Sequence, residues 1–142
     1  MPPFAWTIRV RYHECDPQGI VFNAHYFAFF DMTMTELLRA AFPEGGYGAM
    51  VEGLGVDIVV AEATARFHES ARFDERVELG ATVTRLGTTG MTTELTVARE
   101  GTVLVEGELR HVFVDATTWT KTAIPDAVRA ALAPWSRAGG QT

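Results

Sequence analysis

One cysteine, Cys15, is all that this chain of 142 residues carries. No intrachain disulfide can form, so a thiol-reducing compartment, the cytoplasm, is the expected home. Nothing approaches the roughly 20 consecutive apolar residues of a membrane span. The opening MPPFAWTIRV also lacks a basic region followed by an apolar stretch of signal-peptide length. Positive charge is scarce: 12 Lys and Arg against 18 Asp and Glu give a net charge of −6. That balance argues against broad binding to nucleic acid or to an anionic membrane, while leaving room for a local basic patch that grips one phosphorylated ligand. Low-complexity tracts are missing, and so is any repeat beyond the general similarity of the later segments.

What the chain does have is apolar material. Hydrophobic residues make up 47% of it, enough for one core at a length where roughly 70% of the unfolded surface becomes buried. A single domain over residues 1–142 is therefore expected. Only SRAGGQT, at the end, reads as a frayed tail.

Alternation from Trp6 to Tyr12 sets Trp6, Ile8, Val10 and Tyr12 on one face, with Thr7, Arg9 and Arg11 on the other, the pattern of a half-buried strand. A polar turn follows at Cys15-Asp16-Pro17-Gln18-Gly19. From Asn23 to Phe42 the spacing of Tyr26, Phe30, Met34, Leu37 and Ala41 predicts a helix, and Phe27, Phe29, Met32 and Leu38 widen its apolar stripe. A helix apolar nearly all round is normally enclosed by its own protein. PEGGYG ends it. Strands are predicted near 55–67, 76–86, 91–99 and 102–115, with hairpin turns at LGTTG and REGT. In the last strand Val103, Val105, Leu109, His111 and Phe113 alternate against Leu104, Glu106, Glu108, Arg110, Val112 and Val114. A short helix, PDAVRAALAPW, closes the chain with Pro125 and Asp126 at its start. The expectation is an α+β fold, one antiparallel sheet with four later strands in meander order and the long helix against its concave face. The other face and a strand edge then need a partner, and a second copy of the chain is the natural one.

The segment CDPQGIVFNAHYFAFFD places Asp16 just upstream of that helix. With Gly19, the aromatic Phe22, Tyr26 and the acid Asp31, all following a first strand, it resembles the 4-hydroxybenzoyl-CoA thioesterase-like family of hotdog-fold acyl-CoA thioesterases. The later strands, VFVDATT and the closing IPDAVRAAL extend the likeness along the chain. The resemblance implies a five-stranded antiparallel sheet wrapped around one long central helix, with a short C-terminal helix. It further implies homodimers, assembled into tetramers, with acyl-CoA as substrate and sites between subunits. By position, Asp16 falls on the family's catalytic carboxylate, and the backbone N–H groups of Phe22 and Asn23 fall where the thioester carbonyl is polarised. Asn23 stands where some members carry an aromatic or His side chain. Gly87, Thr88 and Thr89 stand where the hydroxybenzoyl enzyme has a basic cluster near the CoA phosphates.

The chemistry suits these residue types. A thiol leaves easily, with a pKa near ~8.5, so a carboxylate can serve either as nucleophile or as the base that activates water. Orphan N–H groups at a helix N-terminus can hold the charge on the carbonyl oxygen. No cofactor is expected beyond the CoA of the substrate.

Each candidate also has a plainer reading. Asp16 before Pro17 could be a turn former. His25, on the first turn of the helix, could be a packing residue, and Asp31 a satisfied interface acid held in reserve as a second catalytic carboxylate. His13, Glu14, Cys15 and Asp16 are adjacent in the chain and so point to opposite sides, and no metal site is expected. Beside an acyl-CoA thioesterase, three readings stay open: a carrier-protein thioesterase, a hotdog hydratase pairing Asp16 with His25, and a non-catalytic acyl-binding module.

Overall fold

A computed structural model describes residues 4–137. Five strands form one antiparallel sheet: β1 (Phe4–Arg9), β2 (Val56–Phe67), β3 (Arg76–Leu86), β4 (Gly90–Arg99) and β5 (Thr102–Asp115). Helix α1 (Asn23–Ala41) packs on the concave face, and α2 (Asp126–Leu132) lies near the end of the chain. This is the hotdog arrangement. The tail residues 138–142 lie outside the described residues, whereas Ser136 and Arg137 are pinned by a bridge to Val83 and an ion pair to Glu94.

The strand order is β1-β3-β4-β5-β2. Only β3, β4 and β5 form a meander; β2 does not precede them in the sheet but lies beyond β5, so the expected four-strand meander is corrected here. The chain leaves α1 having crossed the concave face, and the edge it reaches is that of β5, where Val56 pairs with Asp115 and Phe67 with Val105. The β4–β5 hairpin turns through Glu100 and Gly101, both at positive φ (49° and 83°), the primed turn that matches strand twist.

Two further corrections concern faces. Strand β1 stops at Arg9, and Tyr12 begins a 3-10 turn through Glu14, so Tyr12 is 81% exposed rather than on the inner face. In β5, Leu104 and Val105 are both buried while Val103 is exposed. A register shift between Val97 and Ala98 opposite them interrupts the alternation.

Helix α1 buries Tyr26, Phe29, Phe30, Thr33, Met34, Leu37 and Leu38. Phe30 lies against Gly107 of β5, where any Cβ would overlap its ring. That close approach is why a glycine sits in mid-strand. Burying one such ring contributes about 1.5–3 kcal/mol. The helix is not enclosed on every side, however: Phe22, Phe27 and Asp31 are exposed. Helix α2 is fastened through Arg129, whose guanidinium donates to the carbonyls of Leu86 and Gly87. The neutral LGTTG turn therefore already holds one cation on its carbonyls.

Candidate active site

The loop from β1 to α1 is a small built structure. Glu14 is buried; its carboxylate accepts the Arg11 N–H at 2.7 Å, and its carbonyl accepts the Phe22 N–H at 3.0 Å. Between these anchors Cys15 bridges Val21, and the Asp16 N–H donates to the Ile20 carbonyl. Gly19 donates back to the Asp16 carbonyl and sits at φ +79°, a conformation glycine takes without strain. One carboxylate oxygen of Asp16 accepts the Gln18 N–H at 2.8 Å. Its other oxygen has no protein partner among the described residues.

A second loop closes the opposite side. Val21 donates to the Ala71 carbonyl, Phe73 donates to Gly19, and the Ala71 N–H donates to the Tyr26 hydroxyl at 3.1 Å. Tyr26 is buried against Phe29 and Phe67, and burial raises its pKa above the ordinary phenol value. The result is a cleft of about 420 Å³ lined by Asp16, Phe22, Asn23 and Tyr26 on one side and by Phe67, His68, Glu69 and Ser70 on the other.

Helix α1 starts in this cleft without a side-chain cap: Phe22 is the N-cap and supplies no acceptor. Four N–H groups at a helix start lack intrahelical partners. Here Phe22 donates to Glu14 and His25 donates to Phe22. Among the described residues, the Asn23 and Ala24 N–H groups donate to no protein acceptor. The donor expected at Phe22 is thus engaged by the Glu14 carbonyl, while that expected at Asn23 is open, with Ala24 as its neighbour.

The structure brings together Asp16, Phe22, Asn23 and Tyr26. Gly19 lines an adjoining hollow with Tyr12 and Phe73, which Asp16 also borders. His25 does not line the cleft and packs edge-on against Phe22. Asp31 is exposed in a different cleft altogether. Cys15 is half-buried, its thiol donating to the Arg11 carbonyl, and burial followed by the charges of Glu14 and Asp16 pushes its pKa up. It is kept as a thiol. No cluster of three metal-binding side chains occurs among the described residues. His68 also lines the cleft, and its Nε2 lies 3.0 Å from Glu106, which also pairs with Arg66. The pairing to β5 needed the strand order, which the sequence does not display.

Asp16, with one carboxylate oxygen open, and the start of α1 thus line one cleft, and comparison with known proteins shows the family. The thioesterase superfamily model matches residues 18–106. The chain belongs to the thioesterase superfamily. That match begins two residues after Asp16 and takes in the helix start and the Phe67–Ser70 wall. An acyl-CoA thioester hydrolase, YbgC of Escherichia coli O157:H7, is 33% identical over 127 residues, 88% of this chain and 92% of that one. A solved Pseudomonas aeruginosa protein is 31% identical with a TM-score of 0.81, covering 94% of this chain and 91% of that one. A thioesterase-superfamily structure from Jannaschia sp., 22% identical, shares the fold with a TM-score of 0.87 over 94% of this chain and 93% of its own. No helix among the described residues is long and apolar enough to cross a membrane.

Proposed function

We propose that this chain hydrolyses acyl-CoA thioesters to free acid and CoA, acting as a single domain over residues 1–142, without a cofactor, in the cytoplasm. The observation that carries the reading is the shared cleft: Asp16 and Asn23, at the start of α1 where the Asn23 and Ala24 N–H groups have no protein acceptor among the described residues, line the same space. The thioester carbonyl sits with its oxygen toward those N–H groups. As the carbon becomes tetrahedral, charge develops on that oxygen and the helix terminus stabilises it. One such donor contributes about 2.7–4 kcal/mol in comparable acyl-transfer sites.

Asp16 acts through its open oxygen, while the Gln18 N–H holds the other and fixes the carboxylate plane. It either attacks the carbonyl carbon, expelling the CoA thiolate and leaving an anhydride that water opens, or takes a proton from the attacking water. Tyr26 serves as a wall and, through Ala71, sets the width of the cleft.

The functional unit is a homodimer, with a tetramer built from it. Strand β2 is an unpaired edge carrying exposed Val59, Val60 and Phe67, and exposed Phe22 and Phe27 of the helix add to the apolar area. A long apolar edge is a template for pairing.

Thiol release measured with a thiol-reactive dye over aromatic, short-chain and long-chain acyl-CoAs tests the proposal. Release from at least one class is expected. Loss of enoyl-CoA absorbance without thiol would instead identify a hydratase, and tight binding without either would identify an acyl-binding module.

A further inference from the structure

The cleft wall that carries His68, Glu69 and Ser70 opens the loop between β2 and β3. Among residues 68–75 only Ala71 is buried, and an alanine brings little apolar area to hold a loop in place. A loop with so few buried contacts keeps its shape through polar bonds or not at all. Asp74 adds to the demand. Its φ of +67° lies in the left-handed region, which a residue other than glycine keeps only where its surroundings enforce it.

Much of that enforcement comes from the end of the β4–β5 hairpin. The register passes from Val97 opposite Val105 to Ala98 opposite Val103, so Leu104 is the extra residue of a bulge. Its carbonyl accepts the N–H groups of both His68, at 2.8 Å, and Glu69, at 3.1 Å. On the neighbouring strand sits Arg99, opposite Thr102. Its Nη1 donates to the Ser70 carbonyl at 3.2 Å and to the Glu75 carboxylate at 2.8 Å, and its Nη2 lies 4.0 Å from Glu69. His68, Glu69 and Ser70 are thus all tied to one hairpin end. The Arg99–Glu75 pair is the one ion pair among the described residues with both side chains less than a third exposed, at 28% and 30%. Such shielding sets it apart from solvated surface pairs, which contribute little.

The other side of the loop is bonded to the turn that carries Asp16. The same Glu75 oxygen that meets Arg99 accepts the Arg72 N–H at 2.7 Å. Arg72 bridges Ile20, whose carbonyl accepts the Asp16 N–H at 2.9 Å. Ala71 accepts the Val21 N–H and donates its own to the Tyr26 hydroxyl. A line of bonds therefore runs from Arg99 on the sheet, through the loop, to both sides of the cleft. Arg99 itself lines a separate hollow, with Thr7 and Glu75, and not the cleft.

We infer that Arg99 is a positioning residue for thioester hydrolysis: through Glu75 and the Ser70 carbonyl it fixes the wall loop, and through that loop the turn that carries Asp16. The inference rests on the thioesterase reading and adds to it a residue outside the cleft. Placement is what such a residue supplies, and a misplacement of about 1 Å can cost ~10²-fold in rate.

The test sets Arg99→Met, Glu75→Gln and the double variant beside wild type, on the acyl-CoA that wild type turns over fastest. Folded fraction is followed by circular dichroism. Arg99→Met keeps an apolar stem and drops the charged fork. Glu75→Gln keeps an oxygen for the Arg72 N–H, and it carries the test alone where Arg99→Met does not fold. Per folded molecule, kcat is expected to fall about tenfold or more in Arg99→Met and severalfold in Glu75→Gln. KM stays within about threefold, because neither side chain touches the substrate. The double variant is expected to be no slower than Arg99→Met, since both changes act through one clasp. Arg137→Met, which removes the ion pair to Glu94 and does not line the cleft, stays near wild type. Lower thermal stability with kcat unchanged would make the pair structural only and overturn the inference. So would a loss confined to KM, losses that multiply in the double variant, or an equal loss in Arg137→Met. A wild type silent on every acyl-CoA overturns the thioesterase reading itself, and this inference with it.

Discussion

A methyl group at Gly107 would overlap the Phe30 ring and approach the Thr64 carbonyl. Gly107→Ala is therefore expected to destabilise the protein by about 1–3 kcal/mol, as overpacked cores do; a denaturant midpoint within error of wild type would contradict the packing described. Protonation gives a second test on one side chain. His111 titrates below its ordinary value because it is buried. Unfolded, it takes up a proton near pH ~6.5; folded, it does so only at lower pH. Between those values the unfolded chain binds more protons, so stability is lost as pH falls below about 6.5. His111→Val is expected to flatten that part of the stability–pH curve, and identical slopes in both proteins would refute the assignment. At this scale the sequence was uneven in what it revealed. Asp16 and Asn23 could be placed because a turn signal and a helix start are local. The engagement of the Phe22 N–H by Glu14 could not, because a buried glutamate acting through its own backbone leaves no pattern.

Helix α1 is the element whose ends and faces carry the account. Its boundaries, Asn23 to Ala41, follow the apolar period closely, because Pro43 and the glycines after it stop the helix. The unsatisfied start is the informative part. Phe22→Ser would place a hydroxyl where it can accept an N–H from the first turn, worth about 0.5–2 kcal/mol of helix stability. The same bond would compete with the substrate carbonyl for the Ala24 donor. Higher thermal stability together with lower kcat/KM is the expected outcome; a rise in both would mean that these N–H groups are not the oxyanion site. Strand β1 was harder to read. Its alternation continues through Val10 to Tyr12, yet the backbone turns after Arg9, because the Glu14 carboxylate draws the Arg11 N–H into a local turn instead of a ladder.

For the whole molecule, sheet order was the main thing hidden. The four later strands are equally rich in Val and Thr, so nothing local states that β2 lies beyond β5, and the bulges at Val60/Glu62 and Val97/Ala98 blur the faces further. Once the order is known, β2 is an exposed edge, the one on which the proposed dimer docks. The proposed dimer is expected to sediment at about twice the 15.6 kDa chain mass. Val59→Lys with Ala61→Lys, charges set on that edge, should shift the population to monomer. A double variant that stays dimeric would move the interface elsewhere. The exposed apolar edge is one feature that residue-by-residue reading anticipated in kind, as an unpartnered edge, without locating it.

The most direct measurement is thiol release by wild type and Asp16→Asn on the best acyl-CoA, with folding and oligomeric state checked in both. Asparagine keeps the oxygen that accepts the Gln18 N–H, so the turn survives, while the nucleophile or base is removed. The account predicts a fall in kcat of about 10²–10⁴ with little change in stability. Equal turnover in the two proteins would contradict it, reducing Asp16 to a turn residue and sending the search for the catalytic carboxylate to Asp31.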